Sequence, residues 1–178
     1  MSEIGRRRDT DRAAVSEAEI AAFDGTDLER VRSFDELCAV ADHVVAGEWW
    51  RSCADVVADR SIRQIGSVSV VSSRADARSS VAVEAPGSPP QIRLAPPQAT
   101  LVTLAHELAH VLAGVSEQHG PVFRRAMLDT VGAVTNTTSV DRRGRLHVEQ
   151  LADAFQVAGL SLSEPRWPAP RVGGPIAL

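Results

Sequence analysis

The chain has 178 residues, 44% of them hydrophobic and 24% charged, with a formal net charge of -4 at pH 7. This length and apolar content suit one domain with its own core, and the acidic balance gives no general reason to expect nucleic-acid binding. The opening Arg6–Arg8 run is followed by acidic residues, and no apolar run is long enough to cross a membrane. We therefore expect no secretory signal, no membrane partner and a cytoplasmic location.

Residues 1–32 form the first predicted unit, an N-terminal arm with many charges and few large apolar side chains. Ala13–Phe23 within it is either a helix or part of a loosely attached segment, and the pattern leaves both interpretations open. The arginine run at its start is typical of a solvated chain end.

Ser33–Arg51 is predicted to be a helix. Ser33 and Glu36 have the spacing of a capping box, and apolar residues recur at helical intervals at positions 37, 40, 44 and 45. Trp49 and Trp50 at its end are expected to close the core, with a binding surface as the alternative.

The lone histidine and the two cysteines of this region are expected to have ordinary roles. His43 is predicted to lie either on the surface or in the core with its polar groups satisfied, rather than to bind a metal. Cys38 and Cys53 are too few for a disulfide framework and lack the CxxC spacing of a zinc ribbon, so two reduced thiols are expected.

Three short strands are predicted between residues 65 and 94. The valines at 68, 70 and 71 and those at 81 and 83, separated by the polar Ser72–Ser80, indicate a hairpin with a long loop. Gln91–Leu94 is bounded by proline pairs, which indicate either an edge strand or prolines that stand at the ends of a strand. An edge strand can hydrogen-bond an extended peptide, and a purely structural edge is the alternative.

The stretch Thr100–Phe123 holds three of the five histidines. Its leucines recur at helical intervals, which predicts an amphipathic helix with Thr100 as N-cap and Gly114 as left-handed C-cap. His106 and His110 are four residues apart and share one helical face, where they can bind one metal ion.

The residue between them completes a hydrolytic motif. Glu107 points into the same site without having to be a ligand, so its carboxylate can act as general base on a zinc-activated water. A catalytic Zn²⁺ needs a third protein ligand and an open position. His119 is the candidate, since Gly120 and Pro121 predict a fixed corner before a new helix.

Other ligand sets fit this spacing less well. A metzincin would have a glycine and a histidine where Ala113 and Ser116 stand. A gluzincin needs a downstream helical glutamate, for which Glu149 is a distant candidate and Glu117 stands very close to the second histidine. Two further alternatives are a buried helix with incidental histidines and a structural zinc, which would more often have four protein ligands.

The chain beyond the motif is predicted to be helical and then extended. Pro121–Val134 and Leu146–Leu160 are expected to be helices, joined by the polar loop Thr135–Gly144. Ser161–Leu178 is rich in proline and glycine, so we expect a flexible tail, which Trp167 could dock on the domain.

The run QIRLAPPQATLVTLAHELAHVLAG, followed by HGPVFRRAML, resembles the SprT-like and Spartan zinc metallopeptidases. It is still more similar to a small group of metallohydrolases from high-GC actinobacteria, which share a preceding helix ending in tryptophan and the HGPxF corner. The resemblance covers about residues 30 to 160 and implies His106, His110 and His119 as zinc ligands with Glu107 as catalytic base. The loop between the second and third histidines is shorter than in Spartan.

The resemblance also implies a fold and a function. We expect an α+β, zincin-like domain over residues 33–160, with a small antiparallel sheet packed on helices that include the HExxH helix. The expected activity is zinc-dependent hydrolysis of peptide bonds in a protein or peptide substrate. Alternatives are a metal-dependent hydrolase of a non-protein substrate and a zinc-containing regulatory or binding module. A DNA-linked role like that of Spartan rests on analogy alone.

Overall fold

In a computed structural model of the chain, residues 9–60, 63–138 and 143–171 are described. This part of the chain is α+β, as predicted, with six helices and one three-stranded sheet. The helices are α1 Arg12–Phe23, α2 Phe34–Ala46, α3 Glu48–Arg60, α4 Leu101–Ala113, α5 Pro121–Thr138 and α6 Arg143–Val157, and the strands are β1 Ser69–Ser72, β2 Val81–Val83 and β3 Gln91–Leu94. None of the described helices is long and apolar enough to span a membrane.

The sheet is mixed, so the predicted antiparallel sheet and the predicted hairpin are wrong. The strand order is β1-β3-β2, with β1 parallel and β2 antiparallel to the central β3. β3 is therefore not an edge strand. The flanking prolines lie outside the four ladder residues and remove no hydrogen-bond donor from them, while Ile92 and Leu94 supply the buried side chains expected of a central strand.

The predicted helix Ser33–Arg51 is in fact two helices, divided at Gly47. The extended backbone of Gly47 ends α2, and α3 then continues nine residues past Arg51 to Arg60. The capping box is confirmed, since Ser33 Oγ accepts from the Glu36 N–H and the Glu36 carboxylate accepts from the Ser33 N–H.

Both tryptophans of this region pack inward. Trp50 is fully buried and donates from Nε1 to the carbonyl of Ile65 at 2.8 Å. Trp49 donates to the carbonyl of Pro168, so it holds the C-terminal segment instead of marking a free surface. His43 is exposed, one of the two positions predicted for it, and Cys38 and Cys53 are free thiols.

The C-terminal segment 161–171 has no helix or strand but lies on the domain. Trp167 is almost buried and donates from Nε1 to Asp129 Oδ2 at 2.8 Å, which confirms the docking predicted for it. Residues 172–178 of the predicted tail lie outside the described residues, as do positions 139–142 of the predicted loop. The helix before that loop is four residues longer than predicted and ends at Thr138.

The N-terminal arm contributes a packed helix. α1 lies against α6, and Val15 and Phe23 are fully buried in the same core as the later helices. Of the two readings left open for Ala13–Phe23, the structure has the helix. The centre of that core is the pair α4 and α5, on which α2, α6 and the sheet pack, while α1 packs on α6.

Candidate metal centre

Helix α4 presents the HExxH residues as the sequence predicts. Thr100 Oγ1 accepts from the Thr103 N–H and caps the helix. Ten of its thirteen residues are buried, so the helix is fixed in rotation about its axis. His106 and His110 lie on one face with their ring centroids 5.0 Å apart.

A tight corner brings His119 back to this face. It starts at Gly114, whose φ of 102° is positive as expected of a C-cap, although its ψ of 129° departs from the left-handed helical region. Gln118 also has a positive φ, of 51°. Pro121 is the first residue of α5, as predicted.

The three predicted ligands meet. One ring nitrogen of each of His106, His110 and His119 lies within 4.8 Å of the others. His106 Nε2 and His119 Nε2 are 3.2 Å apart. Two imidazole ligands on one tetrahedral zinc have their nitrogens about 3.3 Å apart, given Zn–N bonds of about 2.0–2.1 Å.

The far sides of two of these rings face carboxylates. Glu19 Oε1 lies 2.8 Å from His106 Nδ1, and Asp9 Oδ2 lies 2.6 Å from His119 Nδ1. Because an ionised carboxylate only accepts, each Nδ1 donates its proton outward. When both rings are neutral, the facing Nε2 atoms both carry lone pairs, so either a proton or a metal ion between them makes their 3.2 Å approach favourable.

The third ring has an unsatisfied nitrogen. His110 Nδ1 is buried and has no hydrogen-bond partner among the described residues. Buried polar atoms are normally paired, so a ring in this position suits a metal ligand. Three converging imidazoles that open on one side to a cavity therefore fit a zinc ion, with no fourth protein ligand supplied by the cluster.

Phe123 of α5 packs against all three histidines. Its ring centroid is 4.3 Å from that of His110 and 4.9 Å from those of His106 and His119. The ring is fully buried. It forms an apolar support for the cluster, which restricts how the three imidazoles can rotate.

Arg124, the next residue, fastens the corner. This buried side chain donates from Nη1 to the carbonyl of His119 at 2.9 Å and to Asp11 Oδ2 at 2.7 Å, and from Nε to the carbonyl of Ser161. It thereby joins the N-terminal segment, the corner and the C-terminal segment at one point. A buried guanidinium with three acceptors is well satisfied.

Glu107 is buried beside the histidines and is 5% exposed. Burial raises the pKa of its carboxyl group, opposed by the charge of His106 and by a hydrogen bond from the backbone of Ala82 in β2. A carboxylate with a raised pKa is a stronger proton acceptor than one in water, which suits a general base.

The histidine pKa values follow from burial and from the carboxylates. Burial lowers the pKa of His110 to about 2 and also lowers that of His119. Burial acts in the same direction on His106, but the Glu19 carboxylate outweighs it and the pKa of His106 is raised. His110 and His119 are thus held in the neutral form that binds metals.

A cavity of about 440 Å³ opens over the cluster and Glu107. Its walls are the polar face of α1, the residues Ser79–Ala82 at and before β2, and the corner at Gln118. Among the residues that the structure describes, Arg12 is the one cationic side chain in this lining apart from the histidines. Four other side chains that could donate to an oxyanion by their chemistry do not line it: Arg93, Arg124, Arg125 and His147.

Sequence reasoning missed the contribution of α1. Asp9, Arg12, Ser16 and Glu19 face the cavity from one side of that helix and the residues before it. In the sequence they form an ordinary polar helical face, indistinguishable from one turned to solvent. Glu149 is exposed, and Glu117 lies 3.7 Å from Arg166, so neither replaces His119.

No protein-family model, no curated protein and no solved structure matches this chain. The resemblance to SprT-like peptidases therefore stays a prediction that rests on the motif residues.

Proposed function

We propose that the chain is a zinc-dependent hydrolase that cleaves peptide bonds, with a zincin-like (SprT-like) active site. The observation that carries the proposal is the buried carboxylate of Glu107 beside three converging imidazoles, at the floor of a cavity wide enough for a substrate. A structural zinc site would have no use for such a carboxylate or for an open side.

His106, His110 and His119 would hold the ion. Zinc bound there supplies a Lewis acid, which polarises a carbonyl group and lowers the pKa of water towards neutrality. Glu107 takes the proton of that water and later delivers it to the leaving amine. The raised pKa of its carboxyl group favours the first of these transfers, the uptake of the proton.

Arg12 and β2 supply the remaining features that peptide hydrolysis needs. Arg12 is a cation in the cavity wall and can donate to the developing oxyanion. β2 is an edge strand beside Glu107, and residues Ser80–Ala82 line the cavity. An extended peptide would pair with this edge, which replaces β3 as the substrate strand.

The test combines metal content with cleavage of an unfolded protein such as reduced, alkylated casein. We expect one zinc per chain and cleavage in the wild type. Glu107→Gln keeps the zinc and loses cleavage by about a hundredfold or more, whereas Glu149→Gln, at an exposed helical position, keeps both.

Each other outcome has a defined meaning. Cleavage by Glu107→Gln at the wild-type rate would contradict the general-base role. Turnover of amide or ester compounds but not of unfolded protein would identify a hydrolase of another substrate. Zinc without any turnover would indicate a binding module, and stimulation by DNA would bring the activity closer to that of Spartan.

A further inference from the structure

The two carboxylates behind the histidine cluster come from a part of the chain far from the motif. Glu19 is 87 positions before His106, and Asp9 is 110 positions before His119. Their contacts are short, and the side chains are only 13% and 24% exposed. Water therefore screens these pairs less than it screens surface ion pairs.

Such carboxylates have a specific effect on a ligand imidazole. By accepting a hydrogen bond from the Nδ1–H group, each carboxylate fixes the tautomer that leaves Nε2 free to bind a metal. Each one also restrains the orientation of its ring. Each also raises the electron density at Nε2. Together the two carry a charge of -2, which balances a divalent ion held by three neutral rings.

The surrounding structure fixes where these carboxylates lie. α1 is held on the core by Val15 and Phe23, which places Glu19 behind His106. Asp11 is paired with Arg124, and Arg124 also donates to the carbonyl of His119. Asp9 is thus tied to the same corner that presents its histidine partner.

We propose that Asp9 and Glu19 are positioning residues of the metal centre, so that segment 9–23 is a working part of it rather than an appended arm. The inference rests on the proposed zinc site and adds two residues that act through His119 and His106. A purely structural ion pair would fasten α1 without changing metal affinity.

The first experiment measures zinc affinity by competition with a chromogenic chelator. Glu19→Gln and Asp9→Asn keep side-chain volume and an acceptor oxygen but remove the charge. Each is expected to weaken zinc binding about 10–100-fold, and the double variant more. Glu17→Gln and Asp24→Asn are matched controls at exposed positions in and just after α1, and they should stay within about twofold of the wild type.

Two further readouts separate positioning from loss of structure. Thermal unfolding in EDTA reports the stability of each metal-free variant. The visible absorption of bound Co²⁺ reports the geometry at the ligands, and we expect it to change in Glu19→Gln and Asp9→Asn but not in the controls. Unchanged zinc affinity in both single variants would overturn the inference and leave the proposed function standing.

A second experiment needs no variant. If the docked segment favours zinc, zinc must favour the docked segment by the same factor. Tryptic cleavage after Arg12, followed by mass spectrometry, should be about 10–100-fold slower with zinc than with EDTA, while cleavage after the exposed Arg74 is unchanged. Equal rates after Arg12 would overturn the inference, and a wild type that binds no zinc would overturn both proposals.

Discussion

The ring centroids of Phe123 and His110 lie 4.3 Å apart, the shortest of the three centroid distances between Phe123 and the histidine cluster. One residue comes from α5 and the other from α4, the two helices at the centre of the fold. Phe123 therefore belongs both to the hydrophobic core and to the surroundings of the candidate metal centre. A change in core packing at this position should reach the metal.

Phe123→Leu tests that connection. Loss of ring area at a fully buried site should lower the free energy of unfolding by about 1–2 kcal/mol, and the freed imidazoles should bind zinc more weakly. Phe155→Leu, at a fully buried position on α6 whose ring is not among those packed on the three histidines, is the control. It should lose similar stability in urea titration and keep zinc affinity. Equal zinc affinity in both variants would contradict a supporting role for Phe123.

Gly114 is expected to tolerate no side chain. Its φ of 102° is unfavourable for L residues, and an added Cβ would lie 3.2 Å from Nη1 of Arg63, which donates to the carbonyls of Val111 and Leu112 at the end of α4. Gly114→Ala should cost about 1–3 kcal/mol of stability and weaken zinc binding, because the corner carrying His119 starts there.

The control for Gly114 is Gly25→Ala. Gly25 also has a positive φ, of 73°, but its added Cβ would contact nothing within 4 Å. Its expected loss is about 1 kcal/mol, without any change in zinc affinity. Chemical denaturation measures the stabilities, and a chelator titration measures the affinities. A Gly114 variant that matches the Gly25 variant in both would show that the corner is not strained.

Local signals were enough to predict the elements that carry the three histidines. Thr100, the leucine repeat and Gly114 define α4 without reference to the rest of the chain, and Pro121 marks the start of α5. The positions of His106, His110 and His119 follow from helical spacing and a short connection. Each of these features depends only on residues that are close together in the chain, so a single sequence is enough to predict it.

Long-range pairing could not be predicted in the same way. The proline pairs around Gln91–Leu94 suggested an edge strand. A central strand, however, needs backbone N–H donors only at the residues that pair with its neighbours, and Gln91–Leu94 has all of them. Glu19 and Asp9 had no signal, because their roles depend on where α1 docks. That docking is set by α6, whose sequence lies more than a hundred residues away.

Asp129 should make stability depend on pH. Burial raises the pKa of its carboxyl group to about 6, despite the hydrogen bond from Trp167 and the charge of Arg125. The folded state therefore holds a proton that the unfolded state has released between about pH 4 and pH 6. Over this range its contribution to stability falls as pH rises.

Asp129→Asn removes this loss of stability at higher pH, because the amide does not ionise. It keeps an oxygen that can accept the hydrogen bond from Trp167. The variant should gain about 1–3 kcal/mol relative to the wild type above pH 6, and the difference should shrink towards pH 4. Urea titrations across this range measure it, with the exposed Asp153→Asn as control. Parallel stability curves for Asp129→Asn and the wild type would rule out this titration.

Arg12 is expected to act in turnover and not in metal binding. It lines the cavity with Glu107, and its positive charge lowers the pKa of that carboxyl group and of His106 and His110, but among the described residues it donates no hydrogen bond to the three histidines. Arg12→Gln should reduce kcat for peptide cleavage about tenfold or more by removing a donor for the oxyanion, at unchanged zinc content. Arg12→Lys should restore part of the rate, and the exposed Arg74→Gln should have no effect. If Arg12→Gln raised only KM, the guanidinium would instead bind the substrate before reaction, because a donor used in the transition state must change kcat.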